Sequence, residues 1–353
     1  MKEFLIKKIE FTLFEICIPD IGADPSGFGV WYEPGPGTPQ KRFAVRIFTE
    51  DGPVGVYVPP RSRATVIMPA AIALAHFLIR KPALERERHY QTMRRITKHV
   101  GEAGIGALDI ALWDLGGKIT GQPISQMLGG HRRKLPSYAS TIPGDEHPKG
   151  LSSPEAYADF AQQCLEMGYK GYKMHGWKEG NPQRESEMIR AVAKQVGGSM
   201  DIMYDAACHL KTLTDAIRVG RVCDEHELLW YEDPYADGGL TIRGHRALKE
   251  KVRTPVMIGE HVRNPEIHTE LLVSGATGFG RDDPDYDGGI TGSYKAAMAA
   301  ESLGYDVEVH SCGPAMRQLM AALTRSNYYE LTRVHPVGPN PWQWPGDLNG
   351  YTD

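Results

Sequence analysis

Apolar and polar positions alternate along the first part of the chain in a way that predicts strands over Ile6 to Phe14, Phe43 to Phe48 and Val54 to Val58, with Glu50-Asp51-Gly52 as a turn. Three such runs predict an antiparallel meander. Between the first two lies Pro19 to Gln40, a Gly- and Pro-rich stretch carrying Phe28, Trp31 and Tyr32. It is too long for a simple connector in a compact domain, and is expected to fold as a functional loop over a site. From Arg63 to Gly129 the period changes to that of helices, clearest where Ile105, Leu108, Leu112 and Leu115 recur at steps of three and four before Gly116-Gly117.

Beyond Leu128-Gly129-Gly130 the pattern changes again, to short apolar runs separated by helical stretches. The runs are Leu135 to Tyr138, Gly171 to His175, Asp201 to Asp205, Leu228 to Asp233, Val256 to Glu260, Gly278 to Asp283, Val307 to His310 and Tyr328 to Leu331. Eight strands alternating with seven helices predict a parallel sheet, and Ser153-Pro154, Asn264-Pro265 and Thr291 are read as helix openings. A doubly wound open sheet is the competing arrangement, but no glycine fingerprint follows a first strand, and the arithmetic favours a TIM-type (β/α) barrel. The fold class is therefore α/β, with an α+β domain over 1–130, the barrel over 131–335, and a tail over 336–353 with Trp342 and Trp344 expected to pack back on the N-terminal domain.

Composition narrows the function without naming it. The chain has 353 residues and a formal net charge of -4, so no basic excess is available to neutralise nucleic-acid phosphates or anionic lipid. Val66 to Ile79, the longest mostly apolar run, is interrupted by Pro69 and His76 and is shorter than a membrane helix needs. Charges at Glu3, Lys7, Lys8, Glu10 and Glu15 break any secretory signal, and the expected location is cytoplasmic. Cys17, Cys164, Cys208, Cys223 and Cys312 are scattered and form no C-x-x-C pair, as expected of reduced structural thiols.

Chemistry gathers at the predicted strand ends: Lys173 and His175, then Asp205, Glu232, Glu260, Asp283, His310 and Glu330 on successive strands. In a barrel these ends converge on one mouth. Asp205, Glu232 and Glu260 are 27 and 28 residues apart, about one βα unit each, so three carboxylates should project side by side. Three anions in a partly dry mouth demand a cation, and all-oxygen ligation suits one Mg²⁺ per subunit, with zinc disfavoured for want of Cys or His among them. Asp283 and His310 are spaced to form a pair in which the carboxylate fixes the imidazole tautomer and makes it a general base. Asp282, Asp285 and Asp287 crowd the same loop as Asp283. Lys173 and His175 alternate on one strand and so share the inward face. His209 is expected at the surface. His261, Trp31 and Tyr32 are candidate substrate contacts, and Arg61 and Arg63 candidate partners for an anionic distal group.

These residues resemble the enolase superfamily, in its mandelate racemase-like subgroup. The resemblance is carried by Gly104 to Gly117 (GIGALDIALWDLGG), Leu128-Gly129-Gly130, Gly168 to His175 (GYKGYKMH), Tyr204-Asp205-Ala206, Tyr231-Glu232-Asp233-Pro234, Gly259-Glu260, Asp283 with Gly288-Gly289-Ile290-Thr291, and His310. It implies that the domain over 1–130 is a capping domain closing a modified TIM-type (β/α) barrel, with Mg²⁺ on Asp205, Glu232 and Glu260, a substrate carboxylate on the metal, and removal of the α-proton to give a metal-stabilised enediolate. It also implies a soluble homo-oligomer, a dimer or octamer, acting on a small carboxylate. Lys173 would orient the substrate or a neighbouring base, and Glu330 would hydrogen-bond the substrate carboxylate, unless it pairs with Arg333 or Arg325. Where many members read Lys-x-Lys this chain has His175, and where they read Asp-x-Asn it has Ala207. His175 is then a base or a substrate contact. Both departures weaken a two-base racemase and favour an acid-sugar dehydratase of the lyase type using His310. The alternatives are a racemase, epimerase or cycloisomerase using the same enediolate, and a catalytically inactive metal- and acid-binding module.

Overall fold

The computed structural model describes residues 3–23, 29–50, 52–60, 63–236 and 240–338. Its first layer is the meander: β1 (Ile6–Ile18) pairs antiparallel with β4 (Thr38–Thr49), which pairs with β5 (Val54–Tyr57). Both long strands run several residues past the apolar alternation, because each supplies the other's backbone partners from Ile18 opposite Thr38 onwards. The expected loop instead contains a small hairpin, β2 (Ile21–Ala23) with β3 (Val30–Tyr32). Helices α1 (Ala64–Ala75), α2 (Arg86–Thr97), α3 (Ile105–Thr120) and α4 (Ile124–Met127) follow. The apolar face of α3, with Leu108, Leu112 and Leu115 fully buried, packs on the inner face of the meander through Val45 and Ile47.

The remainder is the barrel. Its strands are β6 (Ser137–Thr141), β7 (Gly171–His175), β8 (Asp201–Asp205), β9 (Trp230–Glu232), β10 (Val256–Met257), β11 (Gly280–Asp282), β12 (Val307–Val309) and β13 (Tyr329–Val334). Seven helices alternate with them: α5 (Pro154–Glu166), α6 (Pro182–Val196), α7 (Leu213–Glu225), α8 (Ile242–Lys249), α9 (Pro265–Val273), α10 (Gly289–Ser302) and α11 (Pro314–Met320). Six strands form one parallel sheet in the order β10-β9-β8-β7-β6-β13, and β11 and β12 pair with each other. The ladder is therefore interrupted on both sides of the β11–β12 pair.

Alternation along these strands separates two environments. Tyr172 and Met174 of β7, Tyr204 of β8 and Tyr231 of β9 face outward into the helices. Inward, Tyr138, Met203, Trp230, Met257 and Phe279 close the floor of the barrel, so the polar residues nearer the strand ends stand on an apolar base. Ser153 and Asn264 cap α5 and α9 through their side chains, as their Pro-following positions suggest. Thr291 does not open α10, which starts at Gly289. Its backbone N–H and hydroxyl instead donate to Asp109 of α3, at 2.9 and 2.6 Å.

That contact belongs to a close docking of cap on barrel. A Cβ at Gly106 would lie 2.4 Å from the Asp285 carbonyl oxygen, and one at Gly289, where φ is +81°, would lie 2.3 Å from the Asp109 carboxylate. Glycine lets α3 touch the β11–α10 loop directly. His335, just past β13, stacks on Tyr32 at 4.3 Å and bonds Asp145 at 2.9 Å, which ties the β2–β3 hairpin to the barrel. Trp342 and Trp344 of the tail lie outside the described residues. No helix among the described residues is long and apolar enough to cross a membrane.

Candidate active site

The inward side chains at the strand ends make a buried charge network. Lys173 of β7 is 1 % exposed, and its Nζ lies 2.8 Å from Glu232, 3.1 Å from Glu330 and 3.2 Å from Asp205. Burial opposes its charge, but Glu232 and Glu330 outweigh that and hold the ammonium well above the ordinary lysine range. Lys173 is thus a fixed cation. Arg281 of β11, equally buried, lies 2.6 Å from Glu232, 3.1 Å from Glu330 and 3.7 Å from Glu260. The sequence reading overlooked this residue, although it sits two positions before Asp283 and so on the same inward face. Glu330 is further bound by the Ser140 hydroxyl at 2.9 Å and the Ser311 N–H at 2.7 Å. Its cationic partners are Lys173 and Arg281.

Asp205, Glu232 and Glu260 reach the mouth from β8, β9 and the segment after β10, each turned to a basic partner. Asp205 Oδ2 lies 2.9 Å from His175 Nε2, and its Oδ1 accepts the Ala207 N–H at 2.7 Å. Burial pushes its pKa up, but His175 and Lys173 pull harder and hold it well below the carboxylate range. Glu232 and Glu260 go the other way. Burial raises both, Arg281 and Lys173 only partly offsetting it at Glu232, while Asp233 adds to it at Glu260.

The donors fit a divalent cation by chemistry and by charge. Four contacting carboxylates, Asp205, Glu232, Glu260 and Glu330, meet two permanent cations, Lys173 and Arg281. With all four ionised the excess is two negative charges, and three of those acids sit on adjacent strands as hard oxygen donors. As placed, their oxygens are spread over Lys173, His175, Arg281 and His310 and do not close within 4.8 Å of one another.

Across the mouth stands His310, just past β12. Its Nδ1 lies 2.6 Å from Asp283 Oδ2 and its Nε2 3.1 Å from Glu260 Oε2. Of the crowded aspartates it is Asp283 that meets the imidazole. Asp285 donates its N–H to Asp283 Oδ1 and accepts from the Tyr57 hydroxyl of the cap, while Asp287 accepts the Asp283 N–H and lies 3.2 Å from His268. Both Asp283 carboxylate oxygens and its N–H are thereby engaged.

A cavity of about 1080 Å³ opens above these groups, lined from the barrel by His175, Asp205, Glu260, His310 and Glu330. The cap roofs it with Val30, Gln40, Arg63 and Thr65 among others. Of the described residues between Pro19 and Gln40, Ala23, Gly29, Val30, Thr38, Pro39 and Gln40 line the cavity, but Trp31 and Tyr32 do not. Tyr32 is spent on His335 and His147, and Trp31 lies under Lys178 at 5.2 Å, because the hairpin turns those rings onto the barrel's outer loops. His261 lines the cavity. So does His209, half-buried rather than at the surface as expected. Arg63 lines it from the start of α1, and Arg61 lies outside the described residues.

Sequence comparison places this architecture. The mandelate racemase / muconate lactonizing enzyme N-terminal domain matches residues 38–129, and the enolase C-terminal domain-like family matches 156–349. A D-gluconate dehydratase of Thermoproteus tenax is 26% identical over 87% of this chain, and an L-talarate/galactarate dehydratase of Salmonella typhimurium 29% identical over 63% of it. The chain spans only 63% and 55% of those relatives' own lengths. Among solved structures, a magnesium-complexed D-glucarate dehydratase from Agrobacterium tumefaciens superposes with a TM-score of 0.88 at 27% identity, covering 96% of this chain and 89% of that one. With both domain matches falling on the cap and the barrel, and the second alone spanning more than half its length, the chain belongs to the enolase superfamily, in the mandelate racemase and muconate lactonizing enzyme group.

Proposed function

We propose that the protein is a hydro-lyase that removes water from a polyhydroxy carboxylate of the sugar-acid kind, with one Mg²⁺ per subunit held by Asp205, Glu232 and Glu260. The observation that carries this reading is the His310–Asp283 dyad, facing the cavity beside a cluster of carboxylates two charges short of neutrality. The dehydratase names of the similar proteins support the same class. The bound cation would supply electrostatic stabilisation of the negative charge that builds on the substrate's carboxylate oxygens.

The chain's own residues handle the proton. Asp283 accepts from Nδ1–H, and Nε2 of His310, which lies 3.1 Å from Glu260 here, would accept the α-proton once Glu260 is engaged as a metal ligand. Asp283 also stabilises the imidazolium that results. That imidazolium then gives the proton to the β-hydroxyl, which leaves as water with the C–O electron pair, and the enol left behind tautomerises to a 2-keto-3-deoxy acid. Lys173 and Arg281 keep the neighbouring carboxylates in place through each stage without exchanging protons. His175, bonded through Nε2 to Asp205, acts as a positioning residue for that acid.

Racemisation needs a second base on the other face of the α-carbon. Lys173 is held charged there and His175 is engaged by Asp205, so the geometry favours the one-base route. The test is proton NMR in D₂O with Mg²⁺ across mono- and diacid sugars. A new C3 methylene with loss of the α-proton is expected; α-deuteration with all hydroxyls retained would transfer the protein to the isomerases.

A further inference from the structure

The three strands that carry the acids also carry a second set of donors for which the proposed reaction has no use. Cys208, Asp233 and His261 follow Asp205, Glu232 and Glu260 by three, one and one residues. The Cys208 sulfur, an Asp233 carboxylate oxygen and a His261 ring nitrogen all lie within 4.8 Å of one another. Among the described residues no other trio of His, Cys, Asp or Glu does so. His261 Nε2 is 2.9 Å from Asp233 Oδ2 and also shares a hydrogen bond with the Cys208 thiol. The Cys208 N–H donates to the Asp233 carbonyl at 3.0 Å, which locks the two loops together.

The backbone is bent to hold this arrangement. Ala207, Cys208 and Asp233 adopt φ values of +46°, +60° and +38°, a region that residues with a Cβ rarely occupy. Such outliers persist only where surrounding contacts over-determine them, and they concentrate at ligand clamps and active sites.

We propose that Cys208, Asp233 and His261 form a binding site for a transition-metal dication of the zinc class, adjoining the three-acid site, whose Glu260 Oε1 lies 3.7 Å from His261 Nε2, and independent of the dehydratase reading. One thiolate, one imidazole and one carboxylate match the softness and donor preference of Zn²⁺ or Co²⁺, and would be poor ligands for Mg²⁺. Three protein donors leave a fourth position for water, and His261 places the site at the cavity wall. Binding expels the thiol proton and the Nε2 proton that now joins His261 to Asp233, so both released groups become ligands. A nucleophilic role for Cys208 fits less well, since burial raises its thiol to about 11 even with His261 beside it.

The probe is Co²⁺, titrated into the full chain in excess Mg²⁺ so that the acid site is filled. One Co²⁺ per chain should give a thiolate-to-cobalt charge-transfer band in the near ultraviolet, and added Zn²⁺ should abolish it. Cys208→Ser should lose the band, and His261→Gln should shift the titration to higher Co²⁺ concentration. Cys17→Ser, which removes the exposed cysteine, and Glu232→Gln should both retain it. Circular dichroism on each variant separates ligand loss from misfolding. A band that survives Cys208→Ser, or no band at all in the native chain, overturns the site.

Discussion

The two flanks of the mouth solve different problems with different physics. On the β7 flank, Lys173, His175 and their acids bond to one another inside the barrel. On the β11–β12 flank the ladder is interrupted at both edges, and the loop carrying Asp283 is braced from outside by the cap. Tyr57 binds Asp285, Asp109 binds Thr291, and Gly106 lies against the Asp285 carbonyl. Lys173, held charged among three carboxylates, cannot move a proton, whereas the His310 imidazole, bonded to Asp283 through Nδ1 and 3.1 Å from Glu260 through Nε2, stands at the cavity. On the proposed reading the first flank is the scaffold and the second the reactive side.

The strongest way to break this comparison is to remove the imidazole. His310→Asn should lower turnover by about 10³- to 10⁴-fold, in the range set by loss of a general acid and base, while the thermal midpoint stays near that of the native chain. Steady-state assay and calorimetry on the same preparation read both. Turnover within tenfold of native would mean that the reactive side has been assigned to the wrong flank.

Lys173→Met tests the scaffold flank and should act on stability first. Removing one partner from a buried ion cluster leaves Asp205, Glu232 and Glu330 undercompensated, a loss of about 3–5 kcal/mol in urea unfolding. If stability is unchanged and only catalysis falls, Lys173 is a participant rather than a support. His175→Asn should have a milder effect. As the residue that orients Asp205, its loss should reduce Mg²⁺ affinity or turnover by about 10- to 100-fold and leave α-proton exchange measurable by deuterium incorporation. Complete loss of exchange would make His175 a base.

Most of the barrel could be read from the chain, because strand residues alternate and each βα unit repeats at a similar length. Those two regularities place Lys173 with His175 on one face, and Asp205, Glu232 and Glu260 in one ring. Arg281 lies on the same alternation, but an arginine inside a barrel wall runs against that residue's usual exposure. Its burial makes sense only once Glu232 and Glu330 are seen on either side of it. The cap was harder. Nothing in the spacing of Pro19 to Gln40 says which face of a hairpin will turn inward, and the rings of Trp31 and Tyr32 went to the barrel's outer loops. The docking of Asp109 on Thr291 joins positions 182 residues apart, so no local signal could announce it.

That docking offers the finest test of how far the reactive flank depends on the cap. Burial raises the Asp109 carboxyl from the ordinary aspartate value to about 7, only partly opposed by the two bonds from Thr291 and by Arg86. A carboxyl whose pKa is higher in the folded chain stabilises the fold fully below its unfolded pKa, near 4, and loses that contribution as pH rises through about 7. Above neutrality the fold therefore carries a buried anion, at a cost of at most about 4 kcal/mol relative to acid conditions. Asp109→Asn removes the titration. The difference in thermal midpoint between variant and native chain should shift in the variant's favour between pH 5 and pH 8, with turnover at pH 6 little changed. Parallel stability curves would show that Asp109 stays ionised throughout, so that the cap holds the dyad's loop by a charged cap on α10 instead of a neutral one.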